Sequence, residues 1–182
     1  MNPDDAGEDR ASRLRVLAHP IRLRMLSLLT GATLSAMELS RELDISQALA
    51  SYHLRQLHAA GVIELAEVRS RNGGQERRFA YRPALPGPHE GPPPATDELA
   101  LLAEAFAVEL RRRSQQAEAG AGRLGVDAEL WVDPADWAAA VDAIRAASVT
   151  LHDRAQPPRT AGTVRVSVSA LLFPMTSPAA RP

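Results

Sequence analysis

At 182 residues the chain is long enough for one large domain or two small ones, and the absence of cysteine excludes disulfides, thiolate metal sites and cysteine nucleophiles. The net charge of −1 hides an asymmetry: residues 1–9 carry four acids and no base, residues 10–82 carry 12 Arg against six acids, and residues 83–182 carry nine Arg against 12 acids. A basic field confined to one segment suits a polyanionic partner, and with no apolar run near about 18 residues a soluble, cytoplasmic protein with no membrane association is expected.

Residues 1–11 read as a disordered acidic tail. From Ser12 a short helical pattern presents Leu14, Leu17 and Ala18 until His19-Pro20 interrupts it. Pro20 suits the first turn of a second helix, in which Ile21, Met25, Leu28 and Leu29 form one stripe and Gly31 acts as a stop. Ser35 and Glu38 have the spacing of a capping box for a helix whose buried side is Met37, Leu39 and Leu43. Asp44-Ile45 makes a tight turn, Ser46 caps the next helix, and Leu49, Ala50, Leu54 and Leu57 face inward before Gly61 ends it. Strand patterns at 62–69 and 77–82 flank Ser70-Arg71-Asn72-Gly73-Gly74-Gln75, a hairpin signal.

The stretch 83–95 holds six Pro and two Gly and is expected to be a stiff, extended linker. A long helix follows at 96–118, with Leu99, Leu102, Ala103, Phe106, Ala107 and Leu110 on one stripe. Residues 128–132 pattern as a short strand. Asp133 caps a helix that opens with Pro134 and carries Trp137, Val141, Ile144, Ser148 and Leu151 along a seam. Residues 163–173 alternate Val164, Val166 and Val168 with Arg165, Ser167 and Ser169, the period of a half-buried strand. The tail from Pro174 is expected to be loose. The expected class is α+β, mainly α: a winged helix-turn-helix over 12–82, the linker over 83–95, and over 96–173 a long helix with a small β-α-β module serving dimerisation or effector binding.

Two helices joined through Leu43-Asp44-Ile45 can pack as a helix-turn-helix, so that the second lies across DNA with its N-terminal half toward base edges. Helical phase then leaves Ser46, Gln47, Ala48, Ser51, Tyr52 and Arg55 outward, with His53 and Gln56 at the margins. Gln47 can bond adenine bidentately, Arg55 can bond guanine or a phosphate, Ser51 can bond either kind of edge, and Ala48 can touch a thymine methyl. Packing against the wing is the alternative for Tyr52, and a buried interfacial histidine is the alternative for His53. In the hairpin Arg69, Arg71, Arg77 and Arg78 surround a Gly-rich tip and can pair with phosphates or enter a minor groove.

The segments LAHPIRLRMLSLL and MELSRELDISQALASYHLRQLHAAGVIEL, followed by the hairpin, resemble the winged-helix DNA-binding domain of the ArsR-type (arsenic-repressor-like) regulators over residues 13–82. The resemblance implies a homodimeric repressor whose helix 46–59 enters the major groove of double-stranded DNA. That family's thiolate sensors carry a Cys pair in the helix here written SAMELSREL, and other members bind metal through Asp and His on the helix after the wing. This chain has no Cys, its helix 96–118 has no His, and His19, His53, His58, His89 and His152 lack ligand spacing. A member that senses no metal and carries no cofactor is therefore expected.

A regulator reading two half-sites needs a twofold mate, and Leu14, Leu17, Leu99, Leu102, Phe106 and Leu110 are the expected dimer contacts; packing within one chain is the alternative for the long helix. Trp131 and Trp137 leave two readings open, an aromatic-lined pocket for a small-molecule effector or ordinary core anchoring. An interaction module that has lost DNA binding is a third functional class, against which Gln47, Ser51 and Arg55 argue. No nucleophile–base pair, phosphate loop or ligand cluster is evident, so an enzyme is not expected.

Overall fold

A computed structural model describes residues 15–71, 74–82 and 96–176, apart from the side chains of Arg71 and Thr96. The expectations for the acidic tail, Leu14, the Asn72-Gly73 tip, the linker 83–95 and residues 177–182 lie outside the described residues. In chain order the elements are α1 (Pro20–Thr30), β1 (Leu34–Ser35), α2 (Ala36–Leu43), α3 (Gln47–Ala59), β2 (Glu64–Arg71), β3 (Gly74–Ala80), α4 (Thr96–Ser114) and α5 (Pro134–Asp153). About half of the described residues are helical, and the sheet is antiparallel with β3 between β1 and β2.

Each helix of the N-terminal part starts on a side chain that satisfies an otherwise orphaned N–H. His19 Nδ1 accepts from Ile21 N–H at 3.2 Å, ahead of Pro20 at the first helical position. The capping box forms as its spacing implies: the Ser35 hydroxyl accepts from Glu38 N–H at 3.4 Å, and Ser35 N–H donates to Glu38 Oε2 at 2.7 Å. Ser46 Oγ accepts from Leu49 N–H at 3.2 Å. Between α2 and α3 the chain turns on Asp44, which is left-handed at φ 53° and ψ 53°. Asp tolerates that region better than branched residues do. Ile45 N–H returns to the Ser40 carbonyl at 3.1 Å, which closes the turn.

Leu26 and Leu29 from α1, Leu39 and Leu43 from α2, and Leu54 and Leu57 from α3 bury together with Met25, Ala50, Val62, Ile63 and Phe79. Tyr81 N–H donates to the Leu29 carbonyl at 3.1 Å and ties the end of the hairpin to α1. β1 was not legible from the pattern; its two residues pair with Phe79 and Arg78 and make the sheet three-stranded. The other strands lie at Glu64–Arg71 and Gly74–Ala80, not at 62–69 and 77–82, because Val62 and Ile63 enter the core before the ladder begins. Leu49, expected inside, is exposed.

The C-terminal part corrects the expected β-α-β module. α5 forms at its Asp133 cap and Pro134 as expected, but residues 128–132 and 163–173 contain no strand. A strand exists only with a ladder partner for its N–H and C=O groups, and neither segment pairs with any described residue. Trp131 is 76% exposed, so it anchors no core, and α5 buries no residue. α4 runs along α1 and ends at Ser114, four residues earlier than the apolar pattern implied. Its inner face is Glu98, Leu102, Ala105 and Glu109, with Arg15 bridging to Glu98 at 3.0 Å and Arg112 to Glu109 at 2.7 Å. Leu102, expected at a dimer seam, is thus buried in its own chain. Leu17 packs half-buried on the core, Leu99 and Phe106 are half-buried, and Leu110 is exposed. No helix among the described residues is long and apolar enough to cross a membrane.

Asp44→Val places a branched side chain in the left-handed turn and is expected to cost about 1–2 kcal/mol, whereas Asp44→Gly is expected to be near neutral. Urea unfolding of the two variants checks this, and equal loss in both would place the cost elsewhere.

Candidate nucleic-acid interface

The core fixes which side of α3 is left over. Ala50, Leu54 and Leu57 point inward with His53, and helical phase turns Gln47, Ala48, Tyr52, Arg55 and Gln56 outward, all exposed, with Ser46 exposed at the cap and Ser51 half-buried. Tyr52 is 49% exposed. Its ring meets His53 edge-on at 5.3 Å and does not pack under the wing.

Strand parity sorts the wing arginines. Arg77 is exposed with its guanidinium 5.8 Å over the Phe79 ring. Arg69 is exposed and bonded to Glu67 at 2.6 Å; that contact holds the Glu67 carboxyl below its ordinary value. The Arg71 side chain lies outside the described residues. Arg78 is a correction: its side chain is 12% exposed and turned inward. It bonds Glu38 at 2.8 Å and the Thr33 carbonyl, with Glu67 at 3.6 Å and Glu76 at 3.8 Å. Burial alone would push the Glu38 carboxyl up, but the Ser35 N–H and the Arg78 guanidinium pull it below its ordinary value. Arg78 therefore holds the wing on α2 and is not displayed to a ligand.

Between the outward face of α3 and β3 lies a groove of about 550 Å3, lined from α3 by Gln47, Ser51 and Arg55, from the start of α2 by Met37, and from β3 by Gln75 and Arg77. Gln47, Ser51, Arg55 and Arg77, singled out from sequence, are thus brought to one groove. Gln75 and Met37 were missed; Gln75 had a signal, a polar residue beside the Gly-rich tip, and Met37 had none, because helical phase alone assigns it to the core.

His53 takes the interfacial reading given for it and not the base-contacting one. It is 4% exposed and stacks on His19 with ring centroids 4.7 Å apart, so it joins α3 to the cap of α1 and is withdrawn from the outer face. Burial lowers both imidazoles below their ordinary value, reinforced by Arg22 and, for His53, by His19. The folded state therefore takes up these protons less readily than the unfolded chain does, so stability present above the ordinary imidazole pKa of about 6.5 is lost as pH falls through and below it.

Urea midpoints are accordingly expected to fall between pH 7.5 and 5.5, and His53→Leu, which removes one titrating ring from a buried site, is expected to flatten that slope; an unchanged slope would contradict the assignment. Arg78→Ala is expected to cost about 2 kcal/mol of stability by leaving Glu38 unpaired, whereas Arg55→Ala should stay within about 0.5 kcal/mol.

A family model described as a helix-turn-helix domain matches residues 17–66, which run from the helical turn before α1 to the bulge in β2. No curated protein matches the sequence. Over residues 17–66 the chain is therefore similar to a helix-turn-helix domain, which suggests a DNA-binding regulator.

Proposed function

We propose that the protein is a sequence-specific transcription regulator, a dimeric repressor that reads the major groove with α3 and steadies the flanking duplex with its wing, and that it is not an enzyme. The observation that carries this reading is the single groove that gathers Gln47, Ser51 and Arg55 opposite Arg77. The major groove admits one α-helix, and the outward residues of α3 are types that bond base edges. Gln47 suits adenine, Ser51 suits either kind of edge, and Ala48 suits a thymine methyl, while Arg55 reaches guanine or a phosphate. None of these side chains is needed by the core, so their polarity is left for a ligand.

The two exposed wing arginines with described side chains are not equivalent. Arg69 must give up part of its bond to Glu67 before it meets a phosphate, while Arg77 is bound to no carboxylate in the ion-pair network around Arg78. One 13-residue helix reads only a few base pairs, so a twofold mate spaced about 34–36 Å away along the duplex is part of the reading.

If about five or six phosphates are neutralised, log K against log salt for a duplex selected by the purified chain should fall with a slope near −5; binding that ignores salt would overturn the proposal. Gln47→Ala should lose about 1–3 kcal/mol of discrimination at one base position. Arg77→Ala should instead weaken all sequences alike and shallow the salt slope by about 1, with Arg69→Ala doing less. Fluorescence anisotropy on matched and mismatched duplexes separates the three.

A further inference from the structure

The C-terminal part presents an unusual amount of uncovered apolar surface. Between residues 124 and 175, 14 large apolar side chains are exposed, including Val126, Leu130 and Val132 before α5 and Val164, Val166 and Val168 after it. Neither segment forms a helix or joins a sheet, and neither contributes to the backbone hydrogen bonds of the described residues beyond the turn that ends at Thr163. Two open strand edges of this kind are templates for strand addition.

We propose that these edges are completed by a second copy of this chain, residues 126–131 of each copy pairing antiparallel with residues 163–168 of the other. The proposal deepens the dimer included in the function proposed above and rests on that part of it. Three observations favour a second copy as the occupant. The pairing would bring together Val126, Leu130, Val164, Val166 and Val168 in both copies, all apolar side chains that one chain leaves exposed. The charges are complementary: 126–132 carries Asp127 and Glu129 with no base, and 163–173 carries Arg165 with no acid.

The third observation is how one chain holds the segments. Val132 runs directly into the Asp133 cap and Pro134, with no loop to fold α5 back over its own strand. The later segment is held elsewhere: Arg159 grips Glu42 of α2 at 2.8 and 2.9 Å. The Gln156 carbonyl lies where a β-carbon on Gly31 would clash, and Arg113 of α4 reaches Ser169 at 3.5 Å.

Setting Glu129 opposite Arg165 gives a register that gathers the valines and Leu130 on one face, with Trp131 alone among the large apolar residues on the other, opposite Thr163. Val126 meets Val168, Ala128 meets Val166 and Leu130 meets Val164 on the apolar side, while Asp127 meets Ser167 on the polar side. The contact is reciprocal, as a twofold dimer requires, so each pair occurs twice.

The test uses the full chain without DNA, with mass followed by light scattering over a dilution series. Wild type is expected to be a dimer. Glu129→Arg alone and Arg165→Glu alone each set like charges face to face at both contacts, and each should weaken self-association by about tenfold. Mixing the two variants makes both contacts Arg–Glu again and should restore the dimer, which pairing inside one chain cannot do. A far-UV melt shows that the winged helix is intact in each, as both positions are exposed. Weakened variants that fail to recover on mixing overturn the exchange, as do variants whose dimer is unchanged, which would leave a dimer through another face such as α4. A monomeric wild type overturns both the exchange and the dimeric reading, while leaving DNA binding by α3 to its own salt series.

Discussion

The ion pair between Arg78 and Glu38 sits where the molecule's three working parts meet. Arg78 lies on β3, the middle strand, and Glu38 in the first turn of α2, where it also completes the Ser35 cap. α2 in turn packs on α3, and Phe79, the neighbour of Arg78, is part of the shared core. The placement of the hairpin against α2 is therefore tied to an ion pair between a largely buried Arg78 and a partly exposed Glu38. The groove lined by Gln47, Arg55 and Arg77 exists because that junction is rigid.

Polar residues in this domain divide into two sets with different tasks. Ser35, Glu38, Asp44, Ser46 and Arg78 are spent on backbone groups, turns and one another. Gln47, Tyr52, Arg55 and Arg77 cap no helix and close no turn, and they are exposed. His53 looks like the second set on a helical wheel and belongs to the first, because His19 at the cap of α1 offers its ring a face to stack on. A marginal position on a helix goes to whichever surface arrives beside it, and only packing determines which does.

The elements of residues 20–80 were readable because their signals are local: a capping box, a left-handed Asp turn and apolar spacings of three and four. The wing was readable as a hairpin but not in its phase. Successive strand residues face opposite sides, so a register shift of one residue exchanges Arg77 for Arg78, and the irregularity between Leu65 and Glu67 opposite Phe79 and Arg78 leaves no mark on the sequence. β1 is two residues long and is defined only by its partners.

Beyond residue 96 the limits are different. The Asp133-Pro134 cap starts α5 as expected, since it depends on neighbours in the chain, whereas the alternation in 163–173 leaves Val164, Val166 and Val168 as exposed as Arg165, Ser167 and Ser169. Pairing and burial depend on what lies across from a segment, and among the described residues no strand lies across from these. Sequence by itself determined the helix starts, the turn chemistry and the outward polar residues of α3, all set by contacts a few residues apart. Tertiary structure decided which arginine is displayed, which face of α4 is inside and where the C-terminal segments remain uncovered, because each is a choice between surfaces brought together from far along the chain.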